Sequence, residues 1–204
     1  MDIDIETYSL PENNYYPIEF KKRQIVLGNS FSENNKHIKG WLNREMGEYK
    51  KTSMFTIDRK GKVYQHFTPN NYSDFTNNKS VDKKIISITI ENQGWLNKDL
   101  INDTYFDWVG NIYNRKVKVY EKRWRGFNYW DPYTLKQLDS CVELVKYLCD
   151  KYDIPNNCVG HNTYIDGVEF FEGIVYKSNY YKESTDLSPA WEYKKIKDKI
   201  ENKK

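Results

Sequence analysis

The period of the apolar positions changes several times along this chain, and each change marks an element. Gln24-Ile25-Val26-Leu27 is a short apolar run closed by Gly28-Asn29-Ser30, which predicts a buried strand. Ile38, Trp41, Leu42 and Met46 then recur at helical spacing, so residues 35–48 are expected to form an amphipathic helix. Ser53 to Arg59 and Lys62 to Phe67 flank Lys60-Gly61 and read as a β-hairpin, followed by a polar loop from Thr68 to Lys84. The clearest strand is Ile85 to Asn92: Ile86, Ile88 and Ile90 point to one face, and Ser87, Thr89 and Glu91 to a face expected to look at something polar. Residues 105–133 read as an aromatic loop region. A second helix begins at Thr134, with Gln137 completing a capping box, and buries Leu138, Cys141, Val142, Val145 and Cys149. A third is expected to start with Ser188 as N-cap and Pro189 in its first turn, and to run into a lysine-rich end at Lys194 to Lys204. The sum is an α/β fold, a central mixed β-sheet of four to six strands with flanking helices. An irregular arm occupies residues 1–20, and insertions fall at about 105–133 and 167–183.

Composition adds exclusions. Aromatic residues make up 16% of the 204 positions, with 18 Tyr and 6 Trp, far too many for a disordered chain. The net charge of +3 is spread along the chain without a basic stripe, which argues against a nucleic-acid partner. No run of about 18 apolar residues suggests a membrane span. The acidic start, Met1-Asp2-Ile3-Asp4-Ile5-Glu6, does not read as a signal peptide, so the chain is expected to be cytoplasmic as synthesised. Cys141, Cys149 and Cys158, odd in number and without CxxC spacing, read as buried or free thiols.

Four segments, in order, resemble the type 2 N-acetylmuramoyl-L-alanine amidase family, whose fold is shared by peptidoglycan recognition proteins and phage amidase lysozymes. They are Ile25-Val26-Leu27-Gly28-Asn29-Ser30, the hairpin from Phe55 to Gln65, Ser87-Ile88-Thr89-Ile90-Glu91-Asn92, and Val159-Gly160-His161 with the later Thr185-Asp186-Leu187-Ser188-Pro189-Ala190-Trp191. The resemblance implies a catalytic zinc with three protein ligands and one open position for water, a carboxylate base, and a cation for the oxyanion. Carried over, His161 and Asp186 fall on two ligand positions and Glu91 on the catalytic glutamate, as base or its relic. Gly28 stands where the first ligand, a histidine, belongs, and Ser184 replaces the expected lysine.

Each residue also has a plainer role open to it. His161 can be a hydrogen-bonding loop residue, Glu91 a solvated strand-end carboxylate, and Asp186 a charge that favours a helix N-terminus. His37 and His66 complete a ligand set only if the fold brings them in. Trp124, Arg125, Tyr129 and Trp130 form a candidate sugar-stacking or protein-docking platform. With the ligand set incomplete, zinc is expected to be bound weakly or not at all. The favoured expectation is a catalytically degenerate amidase-fold protein that binds peptidoglycan or a muropeptide, or a protein partner in a phage particle. The alternative is an active zinc amidase with a substituted ligand.

Overall fold

The computed structural model describes residues 1–202; Lys203 and Lys204, the last of the lysine-rich end, lie outside the described residues. In chain order the elements are β1 (Ile3–Asp4), β2 (Gln24–Asn29), α1 (Lys36–Asn43), β3 (Phe55–Ile57), β4 (Val63–Gln65), the single turn α2 (Lys79–Asp82) and β5 (Ile85–Ile90). Next come β6 (Trp95–Asp99), β7 (Thr104–Phe106), β8 (Ile112–Tyr113), β9 (Lys118–Trp124), β10 (Phe127–Trp130), α3 (Leu135–Tyr152), β11 (Gly173–Tyr176), α4 (Lys177–Tyr180) and α5 (Tyr193–Ile200).

A six-stranded sheet in the order β1-β4-β3-β5-β2-β11 forms the centre. The run β3-β5-β2-β11 is parallel, while β4 pairs antiparallel with β3. Parallel strands covered on both faces read as continuous apolar runs, and β2 and β5 are buried at every residue. Ile25, Leu27, Ile86, Ile88 and Ile174 pack toward α3 and α5 in the main core, whereas Val26, Val81, Ile85 and Val175 form a smaller cluster behind the sheet. Ser87 is therefore buried, its Oγ accepting a hydrogen bond from the Met54 N–H at 3.0 Å, while Thr89, also buried, stands at the strand end.

The sequence misplaces several boundaries. α1 stops at Asn43 because Glu45 and Met46 turn into left-handed backbone, which leaves Met46 fully exposed. α5 starts at Tyr193; Ser188 caps a tight turn instead, its Oγ accepting from the Ala190 N–H, while Leu187 and Trp191 are buried. The arm is tied down rather than irregular throughout: β1 pairs with β4, and the buried Asn14 donates to the Gly47 and Tyr49 carbonyls. Residues 105–133 are no loop region but the greater part of a second, antiparallel sheet, β8-β7-β6-β10-β9. β11, inside the segment taken as an insertion, is a strand of the central sheet. The capping box of α3 forms as expected, with Thr134 Oγ accepting from Gln137 N–H at 3.1 Å.

The second sheet is joined to the first through Trp130, which is fully buried, and Asp131 beside it. The Asp131 carboxylate accepts from Arg59 at 2.9 Å, the Gln93 N–H at 2.8 Å and the Tyr113 hydroxyl at 2.6 Å. Removing a fully buried acceptor strands every one of these donors. Asp131→Ala is expected to lower the unfolding free energy by about 3 kcal/mol, read as a shift in the urea midpoint.

Candidate functional site

In open parallel sheets the carboxyl ends of the strands are where ligands bind, since the chain leaves the sheet there and loops gather around the gap. At that edge a groove of about 360 Å³ is lined by Asn29 to Ser32, Lys36, His37, Trp41, Phe75, Thr89, Trp108 and Lys177, among others. β2 ends at this groove.

Gly28 lies on the face of β2 opposite Leu27. A Cβ there would stand 3.1 Å from Phe75 Cζ, 3.3 Å from Asp186 Oδ2 and 3.5 Å from Lys177 Cδ. Its backbone is ordinary, so the crowding and not the conformation is what favours glycine. Lys177 arrives because Tyr176 pairs with Leu27, which sets the following residue beside Gly28. Its ammonium sits 4.8 Å above the Phe75 ring. Asp186 is buried and its Oδ1 has no hydrogen-bond partner. Burial pushes its carboxyl pKa up, and the charge of Lys177, a bond from the Asn29 backbone and the charge of Arg125 oppose that rise. Asn29 accepts from the Tyr133 hydroxyl through Oδ1, and its Nδ2 is unpartnered.

His161 is placed differently. Its ring stacks on Tyr193 at 5.3 Å and meets Tyr176 edge-on at 5.1 Å. Tyr176 belongs to the main core with Leu27, on the sheet face away from the Gly28 side. Burial lowers the His161 pKa to about 4, and a bond to the Leu187 backbone works against that. Glu91 is committed to backbone: Oε1 accepts from the Asn35 N–H at 2.6 Å and Oε2 from the Arg59 N–H at 3.1 Å. It is only 3% exposed, so the solvated strand-end reading does not hold, and it holds two loops in place. The structure thus brings Asp186 to Gly28, packs the His161 ring on Tyr176 and Tyr193 with its Nε2 unpartnered, and uses Glu91 as a tie.

The residues present do not fit a zinc ion. Gly28 supplies no donor, the side chain that follows β11 at this point, Lys177, is a cation, and among the described residues no three His, Cys, Asp or Glu side chains group to hold a metal. The other histidines are occupied. His37 Nε2 and His66 Nε2 both meet Thr56 Oγ, at 3.2 and 2.8 Å, and their remaining nitrogens meet Ser32 Oγ and the Tyr8 carbonyl.

The aromatic platform is assembled only in part, with Arg125 over the Trp124 ring at 4.7 Å and Trp124 against Trp130 at 5.5 Å. Trp130 is buried, Tyr129 packs edge-on against Tyr105, and Trp124 donates to the Asn162 carbonyl while Arg125 donates to that of Ser178. These bonds brace the second sheet against the segment that carries Asp186. Sequence reasoning missed Lys177 and gave Trp108 no role of its own. The available signal for Lys177 was the apolar run Ile174-Val175-Tyr176, a strand that ends at it.

Burial depresses the pKa of His37 to about 3 and of His66 to about 4, from an ordinary 6.5. Both stay neutral in the fold where the unfolded chain takes up protons. The stability they confer is complete above about pH 6.5 and is lost as pH falls toward 4. Urea unfolding from pH 7 to 4.5 is expected to show this decline, and replacing both with glutamine to make it shallower, the remainder coming from His161, whose pKa burial also lowers.

The comparisons with known proteins follow this geometry. No curated protein sequence matches the chain. Among solved structures, it superposes on the N-acetylmuramoyl-L-alanine amidase LysC from Clostridium intestinale URNW with a TM-score of 0.58 at 16% identity, covering 98% of this chain and 97% of that one. A mutant endolysin from Bacillus subtilis gives 0.57 at 16% identity, covering 98% and 99%. The amidase AmiD from E. coli, solved with the substrate anhydro-N-acetylmuramic acid-L-Ala-D-gamma-Glu-L-Lys, gives 0.58 at 10% identity, covering 90% of this chain and 59% of that one. The family model for N-acetylmuramoyl-L-alanine amidase matches residues 20–170, ending ahead of Lys177 and Asp186. That match takes in most of the chain, which therefore belongs to the N-acetylmuramoyl-L-alanine amidase family.

Proposed function

We propose that this chain is a catalytically degenerate amidase that binds peptidoglycan in the strand-end groove without hydrolysing it. The observation that carries the reading is the surroundings of Gly28. Where the family's first zinc ligand belongs there is no side chain, and Lys177 rather than a second donor stands beside it, next to Asp186. In an active amidase the zinc lowers the pKa of its water and polarises the scissile carbonyl; Gly28, Lys177 and Asp186 cannot hold the ion for that chemistry. The groove itself persists. Lys36, Arg44, Lys51 and Lys177 line it against the single carboxylate of Asp74, which suits the acidic stem peptide of a muropeptide.

Sedimentation with purified sacculi, followed by assay of released stem peptides with zinc supplied, tests the reading. Binding without release is the expected result. Stoichiometric zinc after dialysis, together with peptide release, would establish instead an active amidase with a substituted ligand. Failure to sediment, with a stable assembly in solution, would point to a protein partner such as a neighbour in a phage particle.

The placement of Lys177 yields a separate prediction. Gly28→His combined with Lys177→His is expected to create a site that retains about one zinc per chain through dialysis. Gly28→His alone is expected to retain none, because the His161 ring is packed on Tyr176 and Tyr193. Equal retention by the single variant would return the second-ligand role to His161. A thermal-shift scan with and without zinc reads both variants independently of activity.

A further inference from the structure

The groove at the strand ends does not stop at the central sheet. A second cleft of about 340 Å³ adjoins it, and the two share Phe31, Ser32, Lys36 and Trp108 as a common wall. Its outer side is residues 107–115, contributed by the second sheet. We propose that this cleft is a second saccharide subsite, built by the second sheet, that takes a further N-acetylated pyranose of the glycan strand whose muropeptide occupies the first groove. The proposal rests on the peptidoglycan-binding reading and extends it.

Three features support a built site rather than a surface hollow. First, Trp108 is held rigidly yet remains available: its Nε1–H donates to the Phe31 carbonyl at 2.8 Å, and the residue is 50% exposed. A fixed indole with a free face offers stacking area at little entropic cost. Second, the loop behind it is pinned. Asp107, only 4% exposed, accepts from the Val109 and Asn111 N–H groups at 3.1 and 2.8 Å and from Asn111 Nδ2 at 3.0 Å. Third, the two walls are tied together. Arg115 from the second sheet pairs with Glu33 just ahead of α1, and reaches Asp131 at 3.4 Å.

The chemistry of the lining selects the ligand. One flat aromatic face stands beside the amide side chains of Gln93, Asn111 and Asn114, with the ammonium of Lys36 at the junction of the clefts. A pyranose presents a C–H face for the indole and a rim of hydroxyl and acetamido groups for the amides. The edge strand β8 also reaches this cleft through Ile112 and Tyr113, which makes an extended stem peptide the rival occupant that the test separates from the saccharide.

Calorimetry with two probes tests the proposal: muramyl dipeptide, which fills the first groove alone, and a tetrasaccharide glycan fragment bearing the same dipeptide. The wild-type chain is expected to bind the tetrasaccharide about tenfold more tightly or better. Because Trp108 stands on the wall both clefts share, the readout is the ratio of the two affinities: Trp108→Ala should bring the tetrasaccharide down to the muramyl dipeptide's own affinity for that variant, and Trp108→Phe should keep most of the ratio. Equal affinities of the wild-type chain for the two probes, or a gain that survives Trp108→Ala, overturn the second subsite while leaving the first groove intact. A Trp108-dependent gain seen with a cross-linked stem peptide but not with the tetrasaccharide would make it a peptide subsite and overturn the saccharide assignment. No binding of either probe refutes the underlying reading. Trp108 is half exposed, so circular dichroism is expected to show both variants folded.

Discussion

Parallel pairing in register between β2 and its two neighbours is the constraint on which the rest of the structure depends. Gln24 to Asn29 pair one for one with Ile85 to Ile90 on one side, and Gln24 to Leu27 with Gly173 to Tyr176 on the other. A shift of one residue would turn every side chain to the opposite face and bury the wrong set, so the register is strongly held. It fixes Gly28, Lys177 and Thr89 at one edge of the sheet. It also assigns Tyr176, and His161 packed on it, to the face that carries the main core.

What that edge holds is a charge arrangement in place of a ligand set. Three donors converging on an ion need side chains that reach a common point within about 2 Å of it. At Gly28 the converging groups are a carboxylate, the stem of a lysine and a phenyl ring. The ring excludes water from one side, and the ammonium above it gives the buried carboxylate a favourable neighbour. Beside Asp186, then, the nearest charge is a tethered cation.

The second sheet shows how a flanking layer becomes part of a site. Its attachment runs through Trp130 and Asp131, and Gly94 permits the approach. With φ of +76° and a would-be Cβ only 2.5 Å from Phe31 Cε1, Gly94 lets the Phe31 ring approach the backbone closely. Phe31 in turn offers its carbonyl to Trp108, so the chain crossing at Gly94 sets the wall shared by the two clefts.

The sequence alone determined the elements whose burial has a period. β2, β5, the hairpin and α3 with its Thr134 cap were readable because burial on two faces, or on one stripe, leaves its mark in local order. The order of the motifs also carried the family, and the absence of a side chain at Gly28 was visible without coordinates. The second sheet was not readable, since its strands are half exposed and aromatic and lack clean alternation. Nor was the role of Lys177, because it lies more than a hundred positions from Gly28 and only strand register brings the two together. Gly160-His161 matched a motif in sequence, yet the sheet turned its ring toward Tyr193. Local chemistry named the candidates, while register and sheet face, which are non-local, decided which of them meet.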